Sequence, residues 1–551
     1  MDGVPGFNQF DGIAPNKTYE YKFKVRQNGT YWYHSHSKGQ EQDGLYGPLV
    51  IYPKNKVPLT AGEKADRDYV VLLSDFHNST SGQIMSNLKK EADYYQNRRE
   101  TVFDVFKQIK RDGLKATWQD RSMWNQMRML KTDMSDVTNY TFLMNGKTPE
   151  QNWTGNFKAG EKVRLRFINA SAMSFFDVRI PNLKMTVVSA DGQPVKPVPV
   201  DEFRIGTAET YDVIVEPKQA NYQIEAESID RSGFSVGTLH DENTKPVKNI
   251  VMPKPRPRSL LTMEDMGMDH DMSSMKGMDH DMSSMKSESK DQSMSGMDHD
   301  MSSMKGMDHD MSSMKSDSKE QSMPGMDHDM SSMKGMDHDM SSMKSDSKDQ
   351  SMSGMNHDMS AMNTNTSETS DVVYGWANAS TPVGQRALKY SDLQSLNPQQ
   401  DTRAPEREIE IRLGGNMERY IWTINGKKFN QTEPFKVKYG ERIRLKFIND
   451  SMMAHPMHLH GMFMQLENGQ DPSNMPNKHT VIVPPGKTVT TLLTADELGE
   501  WAIHCHLLYH MSAGMMNKLI VANVDSNGTD MKDVVAQPKT NDKGVNQHAH
   551  H

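Results

Sequence analysis

A short stretch near the C-terminus gathers residues that could bind a redox metal. It reads HCHLLYHMSAGM and contains Cys505, the only cysteine among 551 residues. His504 and His506 flank this cysteine, and His510 and Met515 follow it. A thiolate, two imidazoles and a weakly bound thioether form the ligand set of a blue, electron-transferring copper site. Cys505, His510 and Met515 supply three of these four ligands.

The tripeptide HCH could connect two metal sites. If it is extended, side chains alternate, so His504 and His506 point to one face and Cys505 to the other. Zinc is disfavoured because it has no redox use for a thiolate that is shared between sites. We therefore expect copper at both sites.

Two further motifs offer histidines at the same spacing. In HPMHLHG, His458 and His460 share a face, whereas His455 faces oppositely and can join the cysteine. Near the N-terminus, YWYHSH gives a second same-face pair, His34 and His36, with a serine where the later motif has cysteine. A serine cannot replace a thiolate ligand, so this pair can belong only to the histidine-rich site.

Each motif alone has a plainer explanation. HSH is more often a pair of surface histidines than a pair of ligands, and HPMHLHG alone fits zinc as well as copper. A copper nitrite reductase also pairs type 1 and type 2 coppers, but it has no need for repeated HxH pairs. The three motifs together, in this order, favour a copper enzyme over a structural role.

The three motifs resemble the copper-ligand motifs of multicopper oxidases, specifically the bacterial copper resistance protein A group. The resemblance spans nearly the whole chain. It implies a type 1 copper bound by His455, Cys505, His510 and Met515. It also implies a trinuclear cluster, with His458 as the type 2 ligand and five type 3 ligands: His34, His36, His460, His504 and His506.

The resemblance departs from the family pattern at the N-terminus. Family members hold four coppers and bring eight histidines to the cluster, two of them in an HxHG motif upstream of a segment resembling MDGVPG. This sequence begins at that segment, so we expect a truncated chain or a start codon assigned too late. Asp2 resembles the aspartate that follows the missing motif in relatives, and it is the predicted acid near the cluster.

The resemblance implies an oxidase of Cu(I), with phenols as a second class of donor, that reduces dioxygen to water and contributes to copper tolerance. It implies a periplasmic location, although this chain carries no export signal, and other copper-handling proteins as partners. Methionines near the type 1 motifs favour the cuprous ion as donor: Met452, Met453, Met457, Met462, Met464, Met511 and Met516. Most of them could equally fill the core. The alternative is a copper-sequestering protein whose oxidase activity was lost with the HxHG motif.

Composition excludes several other classes. The formal net charge of −8 argues against a nucleic-acid partner. No run is apolar enough for a transmembrane segment, and a single cysteine excludes an internal disulfide framework.

An internal repeat predicts the fold. NGKTPEQNWTGNFKAGEKVRLRFIN, over 145–169, is echoed by NGKKFNQTEPFKVKYGERIRLKFIN, over 425–449. Alternating apolar residues such as Val163, Leu165 and Phe167 indicate strands. We expect an all-β chain of tandem cupredoxin-like Greek-key domains, three in number with the first incomplete. After the shared FIN only the second copy carries histidines, so the middle domain should lack copper ligands.

The chain divides by composition into five predicted regions. Residues 88–130 have apolar residues at helical spacing and are predicted to form a helical insertion. We expect this insertion to be a solvated cap. The regions are a partial first domain (1–68), a second domain with this insertion (69–255), a Met/His-rich segment (256–371), a copper-binding third domain (372–525) and a flexible tail (526–551). The tail ends QHAHH, with His548, His550 and His551 as a candidate copper site or a solvated end.

The Met/His-rich segment is a repeat. Residues 263–362 hold 26 of the 47 methionines, and MDHDMSSM occurs six times with one degenerate copy. This stretch has too few large apolar residues to build a core, so disorder is expected. Thioethers suit Cu(I), and imidazole and carboxylate can hold Cu(II), so copper recruitment or buffering is the favoured role. The alternative is a neutral linker enlarged by repeat expansion.

Overall fold

The structure, a computed structural model, describes residues 3–8, 10–54, 64–95, 102–126, 135–247, 250–260, 372–374, 381–416 and 419–523. The predicted all-β class is confirmed. The strands of the described residues are β1 Gly29–His34, β2 Tyr46–Ile51, β3 Arg67–Phe76, β4 Thr141–Met144, β5 Trp153–Phe157, β6 Val163–Asn169, β7 Phe176–Arg179, β8 Met185–Ala190, β9 Gln193–Val200, β10 Glu202–Ile205, β11 Thr210–Val215, β12 Asn221–Ser228, β13 Phe234–Asp241, β14 Arg258–Leu260, β15 Val372–Tyr374, β16 Arg407–Asn416, β17 Ile421–Ile424, β18 Phe435–Lys438, β19 Arg442–Asn449, β20 His455–Leu459, β21 Met464–Leu466, β22 Asn477–Lys478, β23 Thr480–Val483, β24 Thr488–Thr494, β25 Gly499–Cys505 and β26 Met516–Ala522.

Two sandwiches share one topology. The middle sandwich has a six-stranded sheet of order β4-β3-β6-β11-β8-β9 and a five-stranded sheet of order β10-β7-β12-β13-β5. The last sandwich has the orders β17-β16-β19-β24-β21-β22 and β18-β26-β25-β20-β23, so each strand corresponds to the one thirteen places earlier. The two stretches that echo each other in sequence therefore belong to equivalent strands.

The middle sandwich has lost the ligand chemistry at the equivalent positions. Counting from the shared FIN, Phe175, Val178 and Ile180 stand where the last sandwich has histidines. All three are at most 2% exposed. Apolar packing thus replaces the imidazoles in this copy.

The N-terminal hairpin of β1 and β2 is attached to the middle sandwich by buried polar contacts. The Thr30 hydroxyl donates to Asp212 (3.0 Å) and accepts from Arg166 (2.8 Å). The Thr210 hydroxyl donates to the Thr30 carbonyl (3.1 Å). These contacts fix the start of β1, the strand that ends at His34 in the HSH motif.

The helices of the described residues do not all behave as a solvated cap. They are α1 Ser81–Lys90, α2 Val102–Asp112 and α3 Leu114–Gln126, with a short α4 Leu508–Ser512 near the C-terminus. Ile84 and Leu88 of α1 are fully buried in the hydrophobic core of the last sandwich. In contrast, Phe103 and Phe106 of α2 and Trp118 of α3 are exposed. The first helix starts before the expected insertion and serves as core.

The two ends of the Met/His-rich segment meet on the middle sandwich. β14 pairs in parallel with β15. Arg256 contacts one oxygen of Glu202, and the Thr381 hydroxyl donates to the other (3.1 Å). The repeats themselves and the C-terminal tail lie outside the described residues. Among the residues that are described, no helix is long and apolar enough to cross a membrane.

Replacing Leu88 with alanine should separate the role of α1 from that of α2. Leu88→Ala should lower the free energy of unfolding by about 2–5 kcal/mol, because it removes a fully buried side chain and leaves a cavity. Phe106→Ala, on the exposed face of α2, should change it by less than about 0.5 kcal/mol. Urea denaturation measures both, and equal losses would contradict this assignment.

Candidate metal centres

The first centre lies between β20, β25 and α4. The antiparallel pairing of β20 with β25 sets Met457 opposite Cys505 and His458 opposite His504. The Cys505 Sγ atom lies 3.5 Å from His455 Nδ1 and 3.8 Å from His510 Nδ1, and the two Nδ1 atoms are 3.2 Å apart. Ligands that share one metal ion at bonds of about 2.0–2.3 Å are spaced in this way.

Burial controls the charge of these ligands. Cys505, His455 and His510 are fully buried. Burial raises the pKa of the Cys505 thiol above its usual range, and burial together with the neighbouring His510 lowers the pKa of His455 well below its usual value. The imidazole is therefore a neutral donor, and the thiol needs a cation to ionise.

Partners on the far side of each ring turn the free nitrogen toward the thiol. His510 Nε2 donates to Asp136 (2.8 Å), which also accepts from the Tyr420 hydroxyl (2.8 Å). His455 Nε2 lies 2.7 Å from the Ser451 hydroxyl. Such contacts fix the orientation of metal-binding histidines.

Asp136 was not found by sequence analysis. It is 374 residues from His510 in the chain, and no motif surrounds it. Trp422 stacks on the His510 ring at 3.9 Å and encloses the same side of the centre. Both contacts become visible only in the folded chain.

Met515 is fully buried beside this centre. Its carbonyl accepts from the Cys505 amide (3.1 Å), and its amide donates to the His510 carbonyl (3.0 Å). The preceding Gly514 has φ +128, and a Cβ there would lie 2.7 Å from the Trp422 carbonyl oxygen. Only glycine fits this turn, which brings Met515 back beside Cys505 and His510.

The second centre contains six histidines. They come from the N-terminal hairpin and from β20 and β25 with the residues that follow them: His34, His36, His458, His460, His504 and His506. Neighbouring ring centroids are 4.7 to 5.6 Å apart. His460 Nε2 lies 3.0 Å from His504 Nε2, and His34 Nε2 lies 3.3 Å from His506 Nε2.

Five of the six histidines fall into two groups that suit separate ions, and His458 belongs to neither group. His36, His460 and His504 have donor atoms within 4.8 Å of one another. His34 and His506 form a comparable group with the carboxylate of Glu41, which is buried and lies 2.8 Å from His34 Nδ1 and 3.9 Å from His506 Nδ1. Sequence analysis did not predict Glu41 either, because its position shortly after HSH is the one sequence feature that points to it.

Burial keeps this centre in its neutral, metal-binding form. It lowers the pKa of His36, His458 and His506 well below the usual value, and neighbouring histidines lower it further. His36 Nε2 is buried and has no hydrogen-bond partner among the described residues. A buried nitrogen of this kind fits a site built for a metal ion.

The two centres are one residue apart. Cys505 belongs to the first centre, and its neighbours His504 and His506 belong to the second. Soft sulfur with imidazole at one centre and imidazole alone at the other are donor sets that suit copper. Of the predicted site residues, Asp2 lies outside the described residues.

The geometry agrees with comparisons to known proteins. Sequence models described as multicopper oxidase match residues 1–56, 67–244 and 402–525. Copper resistance protein A from Escherichia coli is 48% identical over 95% of this chain and 82% of its own length. Copper resistance protein A from Pseudomonas syringae pv. tomato is 49% identical over 95% of this chain and 82% of its own.

The chain belongs to the multicopper oxidase family. It is a copper-dependent oxidase whose cofactors are copper ions of types 1, 2 and 3. The crystal structure of Fet3p, a multicopper oxidase that functions in iron import, matches its fold with a TM-score of 0.54 and 16% identity, over 95% of this chain and 77% of that one. The laccase from Botrytis aclada matches with a TM-score of 0.50 and 18% identity, over 94% and 74%. The predicted cupredoxin-like fold is confirmed.

Removing the charge of Asp136 should weaken copper binding at the first centre of this multicopper oxidase. Asp136→Asn should lower the affinity about 10- to 100-fold, as is typical for a partner of a metal-binding histidine. Competition with a chelator, followed by visible absorbance, measures this. Tyr420→Phe, which removes only the hydroxyl that donates to Asp136, should have a smaller effect. Unchanged affinity in Asp136→Asn would contradict the assignment.

The metal-free protein should lose stability as the pH falls below about 6.5. In the folded state His36, His455, His458 and His506 have lowered pKa values, so below this pH the unfolded chain binds protons that the folded chain does not. Each contributes a loss of up to about 1.4 kcal/mol per pH unit. Burial raises the pKa of Asp75 to about 6 and also raises the pKa of Glu202, Glu209 and Asp496, which acts in the opposite direction below about pH 6. Burial lowers the pKa of His77 and His479 as well, so six histidines act against these four carboxylates.

Urea denaturation between pH 7 and pH 5 measures this loss. A double variant, His455→Asn with His458→Asn, should show a smaller slope, since two of the six histidines with a lowered pKa are removed. A slope that does not change in the double variant would show that other groups cause the acid sensitivity.

Proposed function

We propose that this protein oxidises Cu(I) and reduces dioxygen to water, contributing to copper tolerance in the periplasm. One observation carries the proposal: a buried centre of one thiolate and two imidazoles is joined through adjacent residues to a six-histidine centre, and thioethers lie beside it. The named relatives are copper resistance proteins. When bound, the coppers supply one-electron transfer and the four-electron reduction of dioxygen.

The position of the methionines supports a cuprous donor. Of the seven methionines near the type 1 motifs, five are buried in the core and act in packing. Met511, directly after His510, is partly buried and packs against the core of the last sandwich, as does Met85 of α1. The Met511 thioether thus belongs to the residue next to a predicted ligand of the first centre and is not fully enclosed by the core, and soft sulfur suits Cu(I).

Electron entry and exit can be assigned to protein groups. Asp136 accepts a hydrogen bond from His510 Nε2, so a carboxylate lies beside the edge of this imidazole that faces away from the thiol. A cation is attracted to such a pair. The Cys505 backbone continues directly into His504 and His506, which gives a covalent path from the first centre to the second.

Proton supply is assigned to a buried carboxylate. Reduction of dioxygen to water consumes protons, and an acid must lie near the cluster. Among the described residues, Glu41 has its carboxylate 2.8 Å from His34 Nδ1. We therefore assign Glu41 a part in proton supply, a role that the resemblance implies for Asp2 alone.

The experiment is dioxygen uptake by the copper-loaded full chain, with Cu(I) as donor. Uptake should be abolished in Cys505→Ser, which removes the thiolate. Met511→Leu should raise the Cu(I) concentration for half-maximal uptake roughly tenfold, equal to about 1.4 kcal/mol of binding, while phenol oxidation stays unchanged. The matched variant Met462→Leu, in the core, should leave the Cu(I) dependence unchanged. Uptake that survives in Cys505→Ser would refute the proposal.

Copper sequestration is the second candidate, and the repeat of MDHDMSSM favours it. It predicts copper binding without dioxygen uptake by the full chain. Under this function, deletion of residues 263–362 should lower the number of copper ions bound. A copper stoichiometry unchanged by the deletion would exclude the repeats as a store.

A further inference from the structure

A carboxylate of the middle sandwich reaches the strand behind His458. Asp191 lies in the turn between β8 and β9 and is fully buried. Its Oδ2 atom accepts from the backbone amides of His479 and Thr480, both at 3.1 Å, and its Oδ1 atom accepts from the Thr210 amide (3.1 Å). One side chain thus ties the middle sandwich to the start of β23.

The same two residues hold the His458 ring. β20 and β23 are paired so that His458 lies opposite Thr480. His458 Nδ1 donates to the His479 carbonyl (2.8 Å) and lies 3.1 Å from the Thr480 hydroxyl. A carbonyl oxygen can only accept, so Nδ1 carries the proton and Nε2 is left as the donor atom for a metal.

The carboxylate is held in place by buried charges. Lys478 Nζ lies 3.0 Å from Asp191 Oδ2 and 3.0 Å from Glu209 Oε1, and all three side chains are fully buried. Burial raises the pKa of Asp191, but His479, Lys478 and the amide donors more than offset this and lower it overall. An ionised carboxylate between amide donors and an ammonium group is a rigid support.

We propose that Asp191 is a positioning residue for His458. By fixing His479 and Thr480, it holds the imidazole with Nδ1 protonated and Nε2 directed at the histidine cluster. The middle sandwich, which supplies none of the predicted ligands, then helps to build the type 2 site. This inference rests on the proposed role of the six histidines as a copper cluster.

The test reads the His458 tautomer directly. The metal-free full chain is labelled with 15N-histidine, and the His458 signal is assigned by its loss in His458→Asn. We expect a single Nδ1-protonated form in the wild type. In Asp191→Asn an amide NH2 competes with the backbone donors, and in Thr480→Val the hydroxyl is lost. Both variants should show mixed tautomers and faster proton exchange, whereas Thr480→Ser should restore the wild-type signal.

Copper binding gives the second readout. Titration with Cu(II) should show a loss of about 10- to 100-fold in affinity at the cluster for Asp191→Asn, while the blue absorption of the first centre persists and reports an intact last sandwich. Asp177→Asn is the matched control, because it breaks another buried ion-pair network of the middle sandwich. It should lower stability without changing the His458 signal.

The outcomes are separable. The inference is overturned if His458 keeps a single Nδ1-protonated form in Asp191→Asn. Should that variant fail to fold, Asp191→Glu, which keeps the charge but displaces the carboxylate from the two amides, provides the same readout, and an unchanged tautomer there overturns the inference equally. If the wild type consumes no dioxygen but the tautomer still depends on Asp191, the oxidase proposal fails and the positioning inference stands.

Discussion

The pairing of β20 with β25 is the constraint on which the rest of the structure depends. Side chains alternate along a strand, so a register that directs Cys505 to one face must direct His504 and His506 to the other. A slip by one residue would exchange the two faces and destroy both centres together. The N-terminal hairpin adds His34 and His36 to the second centre, and the turn at Gly514 places Met515 beside the first. The α1 helix packs into the core of the last sandwich.

Around that pair, burial and orientation act together. Burial holds the imidazoles neutral and the thiol protonated until a cation replaces the proton, so metal binding is coupled to the packing of the last sandwich. Contacts from distant parts of the chain then decide which ring nitrogen is free. Asp136 does this at the first centre, where it accepts from His510 Nε2, and it does not lie on a strand that carries ligands. At the second centre the Glu41 carboxylate lies 2.8 Å from His34 Nδ1.

The sequence was informative where the signal is local. The HCH and HxH spacing, the repeat ending in FIN and the absence of ligands after its first copy could all be predicted from adjacent residues. Asp136, Glu41 and Asp191 could not, because each acts through a contact that folding creates. Helical periodicity in residues 88–130 indicated an apolar face but did not show what packs against it, so the burial of Leu88 was missed. Ile84 lies before that range, in a part of α1 that was not predicted to be helical.

The meeting of both ends of the Met/His-rich segment at Glu202 has a thermodynamic consequence. For a segment that lacks its own core, as the composition predicts, the entropy of closing a loop grows only with the logarithm of its length. Adding one more 29-residue repeat unit to a segment of this size costs about 0.2 kcal/mol. A longer or shorter repeat segment would therefore leave the free energy of the folded sandwiches almost unchanged.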